Sequence, residues 1–417
     1  MINYFSYDYP QPDGDDPFTV NVEIAGCPWN TEHRLMRVGL QGREIRAGQR
    51  PQCNLVFLID VSGSMQPANK LPLLKESLKL LVRELSAQDR VGIVAYAGGA
   101  GEVLEPTSGS QQRKILRALE NLHAGGSTHG SAGIRMAYDL ASESYIEGGV
   151  NRVILCTDGD FNVGVTSPDA LQQLIGNKAA SGIFLSVLGF GTGNYKDSTA
   201  EMLADKGNGN YAYIDTLDEG RKVLVEQING TLITIAKDVK LQIEFNPAHA
   251  SAYRLIGYEN RVLRNADFNN DRKDAGEIGA GHTVTALYEI VSPGNEAETP
   301  GVDALKYQRS ASRPRGGPSD ELATIKLRYK EPEGTASKLL TLPVLDTGAR
   351  YSRASKDFKF ASAVAAFGMV LRDSPHKGTA TLDMASELAG ESLGADVGGY
   401  RREFLGLVEQ AARASRR

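Results

Sequence analysis

Cysteine is scarce in this sequence: Cys27, Cys53 and Cys156 are its only three cysteines among 417 residues. Three thiols make no full disulfide framework and their spacing fits no zinc pattern, so neither kind of staple can stand in for a hydrophobic core. Cys156 lies within an apolar run and reads as a buried thiol, whereas Cys27 and Cys53 could pair only in an oxidising compartment. Histidine is nearly as rare, with six residues. None is placed with serine and acidic residues at a strand end as a nucleophile-activating dyad, which argues against a metal-dependent hydrolase.

Long apolar runs are missing too. The longest candidate, Phe360 to Leu371, falls short of the roughly 18–20 residues that span a bilayer and reads as a buried helix. Met1 is followed by Ile-Asn-Tyr-Phe-Ser-Tyr, with neither a basic nor an apolar leader region, so no secretion signal is legible. There is no surplus of positive charge: 46 Lys and Arg face 51 Asp and Glu, a net charge of -5, which gives nucleic acid no electrostatic foothold. What is present, 41% hydrophobic and 23% charged residues, is the make-up of a soluble globular protein. The length implies two domains.

From Asn54 to about Ile228, short β-rich runs alternate with longer helical ones, the pattern of a parallel sheet covered by helices. Leu55 to Ile59 is a continuous apolar run, as a strand buried on both faces requires. Further strands are expected at Arg90 to Tyr96, Glu102 to Leu104 (short, antiparallel, at an edge), Arg152 to Cys156, Ile183 to Leu188 and Tyr211 to Ile214. Helices are expected at Lys70 to Leu85, Gln111 to Leu122, Gly130 to Tyr145, Pro168 to Ala180, Thr199 to Lys206 and Leu217 to Ile228. The fold class is α/β, doubly wound with a mostly parallel, Rossmann-like sheet, joined to a β-rich domain with C-terminal helices.

Beyond Ala236 the texture changes to period-two alternation, as in Val239 to Phe245, Thr283 to Ile290 and Ala323 to Tyr329, which belongs to a half-exposed antiparallel sheet. Phe18 to Ile24 and Arg34 to Leu40 share it. Residues 1–50 are therefore expected to join the sheet of residues 233–417, with the α/β domain, 51–232, inserted between them. Residues 293–320, rich in Gly, Pro, Ser and Arg, read as a flexible loop. Helical patterns at Phe358 to Leu371, Leu382 to Leu388 and Tyr400 to Ala414 close the chain.

In a parallel α/β sheet, ligands bind beyond the carboxyl ends of the strands. The first strand ends in Asp60, then Ser62 and Ser64; Gly125-Gly126-Ser127-Thr128 precedes the Gly130 helix; the fourth strand ends in Thr157-Asp158-Gly159. Two carboxylates and three hydroxyls make an all-oxygen set suited to a hard divalent cation, Mg²⁺ first and Mn²⁺ or Ca²⁺ as alternatives. Neutral hydroxyls leave such an ion electrophilic, so an Asp or Glu presented by a protein partner would be drawn to its open position. A lone Asp-x-Ser-x-Ser is a weak signal, since both residue types are common in turns; the weight lies in three separated segments supplying complementary donors.

This constellation resembles the metal-ion-dependent adhesion site of von Willebrand factor A domains, with all five motif positions filled. The resemblance implies Ser62 and Ser64 as direct ligands, Thr128 as a ligand that engages or releases with conformation, and Asp60 and Asp158 as anchors acting largely through water. The opening Met1 to Tyr7, the Asp60 loop and the β-rich C-terminal half together look like a bacterial group of A-domain proteins with their own C-terminal domain. That likeness implies a non-enzymatic adhesion or scaffold module in a cell-envelope or extracytoplasmic setting. Its members usually begin with a lipoprotein or secretion signal, so Met1 reads as a start inside the shared region. A second function suggested by bacterial A-domain proteins is an adaptor or assembly subunit of an AAA-type ATPase.

Other motifs carry less. His129 reads as an exposed loop residue and Asp160 as a turn or cap. Gly189-Phe190-Gly191-Thr192-Gly193 lacks the full dinucleotide fingerprint. Asp267 to Glu277 spaces its oxygens as calcium loops do, but Arg272 stands where glycine is required; a solvated acidic turn is favoured over a calcium-stabilised loop.

Overall fold

In a computed structural model of the chain, residues 1–45, 50–126, 130–159, 168–191, 197–227, 230, 232–257, 268–269, 275–294, 320–332 and 334–416 are described. The α/β unit is a six-stranded sheet in the order β5-β4-β3-β6-β7-β8. Its strands are β3 (Cys53–Asp60), β4 (Arg90–Tyr96), β5 (Ala100–Ser108), β6 (Val150–Thr157), β7 (Ile183–Phe190) and β8 (Tyr211–Ile214). Only β5 runs antiparallel, at one edge. The helices are α1 (Leu71–Arg83), α2 (Gln112–Glu120), α3 (Gly130–Glu143), α4 (Pro168–Ala180), α5 (Asp197–Lys206) and α6 (Leu217–Arg221).

Alternation along β3 divides the two cores. Leu55, Phe57 and Ile59 pack with Leu74, Leu78 and Leu81 of α1 and Ile115 of α2. Val56 and Leu58 pack with Ile134 and Tyr138 of α3 and Leu171 of α4. Both faces of the strand are thereby removed from water, as its unbroken apolar run requires. The helix expected from Leu217 to Ile228 starts as α6 and continues as a π-helical turn over Lys222–Glu226, with Ile228 outside the described residues. At that turn the buried Lys222 ammonium donates to the Tyr4 carbonyl at 2.9 Å, tying the α/β unit to the N-terminal segment.

The remaining strands form two antiparallel sheets. One has the order β1-β2-β12-β10, from β1 (Phe18–Cys27), β2 (Asn30–Gly42), β10 (Ala252–Ile256) and β12 (Thr283–Val291). The other has the order β11-β9-β13-β14, from β9 (Thr234–Phe245), β11 (Gly276–Gly279), β13 (Glu321–Lys330) and β14 (Ser337–Leu345). Met36 and Val38 from the first share a core with Ile325 and Leu327 from the second, so the sheets face each other as a sandwich. Leu35, pointing the opposite way, joins a core built with α7 (Lys356–Leu371), α8 (Leu382–Glu391) and α9 (Tyr400–Ser415).

Alternation in β2 implied one exposed face. Instead residues 35–42 are buried on both, because α7 to α9 and the Phe5–Tyr9 segment cover the face that reads as polar. Arg37 is buried there under the Tyr9 ring, 5.0 Å from its centroid, and bonds Glu23 at 2.8 Å. The three cysteines are buried free thiols, and Cys27 and Cys53 belong to different cores, which rules out their pairing in this fold. Among the described residues no helix is long and apolar enough to cross a membrane.

The Tyr9 ring lies on Gly39 so closely that a Cβ there would fall 2.2 Å from the ring, while the Tyr9 hydroxyl is fixed 2.9 Å from Thr285 Oγ1. Gly39→Ala is therefore expected to destabilise the fold by roughly 1–3 kcal/mol through overpacking. Urea unfolding would show this as a lowered midpoint, and the loss should shrink in a Tyr9→Leu background because the two positions are coupled.

Candidate metal-binding site

The buried run of β3 ends in Asp60, whose side chain has no exposed surface. A carboxylate removed from water needs internal donors. Ser62 N donates to Asp60 Oδ1 at 2.9 Å, closing an Asx turn that directs the chain back over the strand end. Asp60 Oδ2 accepts from Tyr96 Oη at 3.3 Å and from Thr157 Oγ1 at 3.4 Å, while Gly159 N donates to Thr157 Oγ1 at 3.2 Å. Asp60 thus links the ends of β3, β4 and β6. Burial is the main reason its carboxyl is raised above the ordinary range; the Ser62 donors pull it down and the nearby Asp158 charge pushes it up.

Backbone bonds set the two loops side by side. Val61 N donates to Tyr96 O at 2.9 Å, Gly125 N to Val61 O at 2.7 Å and Gly63 N to Gly126 O at 3.1 Å. The Ser62 and Ser64 hydroxyls lie 3.0 Å apart, Ser62 buried and Ser64 exposed. The site therefore has a buried carboxylate floor and an open hydroxyl lip. Thr128 falls outside the described residues, as do His129 and Asp160; the described chain reaches Gly126, two residues before Thr128, in contact with the serine loop.

Asp158 completes the described set with its side chain only 3% exposed. Lys70 Nζ donates to its Oδ2 at 2.8 Å, whereas its Oδ1 is buried without a hydrogen-bond partner among the described residues. Among the described residues no group of three or more His, Cys, Asp or Glu side chains is arranged to hold a metal. What converges here is different: two carboxylates with two hydroxyls, a hard-donor set, and one orphaned carboxylate oxygen that a cation would satisfy. These residues fit a hard dication.

Tyr96, Thr157 and Lys70 join the site from outside the five motif positions. Tyr96 was the most findable, since it ends β4 in register with Asp60 on the neighbouring strand. Lys70 gave no signal, because a lysine at a helix start reads as solvated. The acidic segment Asp267 to Glu277 lies largely outside the described residues, as does most of 293–320.

Comparison with known proteins adds the family context. The model for the von Willebrand factor type A domain matches residues 54–229, that for the C-terminal domain of the uncharacterized protein YfbK matches 230–414, and a third, described as von Willebrand factor, matches 1–37. The chain is 42% identical to YfbK of Escherichia coli (strain K12) over 99% of its own length and 72% of that protein. It is 31% identical to the magnesium-chelatase 60 kDa subunit of Rhodobacter capsulatus, over 37% of this chain and 27% of that one. A von Willebrand factor type A structure from Catenulispora acidiphila superposes with a TM-score of 0.47 at 18% identity, covering 95% of this chain and 91% of its own.

Tyr96→Phe removes one donor from a fully buried carboxylate while keeping the ring. The expected cost is about 1 kcal/mol of folding stability, read as a lower urea midpoint with unchanged secondary structure. An unchanged midpoint would mean that Tyr96 does not support Asp60.

Proposed function

Because the chain belongs to the YfbK family of von Willebrand factor A-domain proteins, we propose that it is a non-enzymatic protein-binding module that captures an acidic residue of a partner through a divalent cation held by Asp60, Ser62, Ser64, Thr128 and Asp158. The observation that carries this reading is the convergence of Asp60, Ser62 and Asp158 in a buried floor, with Asp158 Oδ1 lacking a partner among the described residues and Ser64 at an open lip.

Each residue has a distinct task in this reading. Asp60, pinned by Ser62 N, Tyr96 and Thr157, fixes the serine loop so that the Ser62 and Ser64 hydroxyls present their oxygens together. Asp158, from the end of β6, supplies the second negative charge, and Thr128 would add a hydroxyl from the segment that follows Gly126. Mg²⁺ is the first choice of ion, with Mn²⁺ or Ca²⁺ as alternatives. When bound, such an ion supplies a Lewis-acidic position for the carboxylate of a partner's Asp or Glu. Ligands that are mostly neutral hydroxyls would leave that position attractive to an anion.

We assign residues 51–232 to the binding domain, and residues 1–50 and 233–417 to a scaffold that carries it. A second reading, an adaptor or assembly subunit of an AAA-type ATPase, is kept because the chain is similar over part of its length to a protein named as a subunit of magnesium chelatase.

Calorimetric titration of the metal-stripped chain with MgCl₂ or MnCl₂ should show one binding event, lost in Asp60→Ala and weakened by roughly tenfold or more in Ser64→Ala, a loss of about 1.4 kcal/mol. Capture of partners from an extract should require Mg²⁺ or Mn²⁺ and be abolished by EDTA and by Asp60→Ala. Capture indifferent to all three would overturn the reading; recovery of an ATPase as the metal-dependent partner would select the adaptor.

A further inference from the structure

Lys70 stands directly before α1, six residues beyond Ser64, yet its side chain is not a solvated surface lysine. It is only 19% exposed, and its ammonium reaches across to Asp158 Oδ2 at 2.8 Å. The path of its stem is built into the fold. At Gly191, just beyond β7, a Cβ would fall 2.8 Å from Lys70 Cε and 2.9 Å from Cγ, and the backbone there has φ +102°. A residue with a side chain would strain the backbone and push the stem aside. The aliphatic part of Lys70 therefore crosses the end of β7 to deliver a positive charge to the end of β6.

That charge lands where the site is short of one. Asp60 and Asp158 repel each other, and both are buried. Buried like charges must be compensated by hydrogen-bond donors, a proton or a cation. Lys70 compensates one oxygen of Asp158, and the other has no partner among the described residues. A dication entering the same floor meets the same carboxylate and is repelled by the ammonium beside it.

We propose that Lys70 is a tethered counter-ion of the metal site, holding Asp158 when the dication is away and setting the concentration of dication needed to displace it. The proposal rests on the reading of this site as a metal centre and adds to it a residue outside the five-position motif. In functional terms Lys70 makes occupancy reversible: the metal-free site is stabilised by its own cation, so loss of the dication need not unfold the loops.

The test uses the full chain with Lys70→Met and, as a second neutral variant of different polarity, Lys70→Gln. Binding of Mn²⁺ alone is followed by the loss of its free-ion electron paramagnetic resonance signal. Thermal unfolding is recorded in EDTA and in saturating Mn²⁺. Removing one neighbouring positive charge should tighten Mn²⁺ binding by about tenfold in both variants. In EDTA both should melt below the wild-type chain, and Mn²⁺ should raise their melting temperature by more than it raises that of the wild type. Unchanged or weaker Mn²⁺ binding in the two variants, with the wild type binding normally, would overturn the role of Lys70 while leaving the metal centre standing. Absence of Mn²⁺ binding in the wild type and both variants would overturn both.

Discussion

A carboxylate with no exposed surface, at the end of a strand buried on both faces, has to be satisfied from within the protein, and the surroundings of Asp60 answer that requirement. Its two oxygens draw in the Ser62 amide from the loop that follows β3, the Tyr96 hydroxyl from the end of β4 and the Thr157 hydroxyl from the end of β6. Each of these bonds shapes something the site needs. The first bends the chain so that Ser62 and Ser64 present their hydroxyls together; the last brings the β6 end, and with it Asp158, to the same floor. Burial of one acid thus organises three loops, and the loops are held further by the backbone bonds of Val61, Gly63 and Gly125.

The same burial creates the electrostatic problem that the chemistry exploits. Two nearby carboxylates in a poorly hydrated floor favour a cation over water. A set of oxygen donors around them selects for hardness and against zinc or copper. Lys70 meets part of that demand from inside the chain, through a stem packed against Gly191. A site with its own weak cation can lose a stronger one without collapse, which suits a binding module better than a permanently occupied structural centre.

Much of this was legible in the sequence because parallel strands buried on both faces leave predominantly apolar runs. Leu55 to Ile59, Arg152 to Cys156 and Ile183 to Leu188 all lie within observed strands, and the acidic and hydroxyl residues that follow the first two sit where strand ends must converge. Less visible were features decided by distant packing. Arg37 alternates like a solvent-facing residue, yet is buried by helices more than 300 residues away in sequence and by the Tyr9 ring lying on Gly39. The π-helical turn at Lys222 coincides with the contact to Tyr4, more than 200 residues away in sequence. Lys70 was invisible for a related reason: its partner, Asp158, is 88 residues away, and nothing local distinguishes it from a solvated lysine.

In the proposed reading Asp60, the two serines and Asp158 seat a hard dication. Anomalous scattering from crystals grown with MnCl₂ tests it most directly. The prediction is a single strong Mn²⁺ peak at direct coordination distance, about 2.0–2.6 Å, from the Ser62 and Ser64 hydroxyl oxygens. A well-ordered serine loop with no peak there, at Mn²⁺ concentrations that saturate binding in solution, would contradict it.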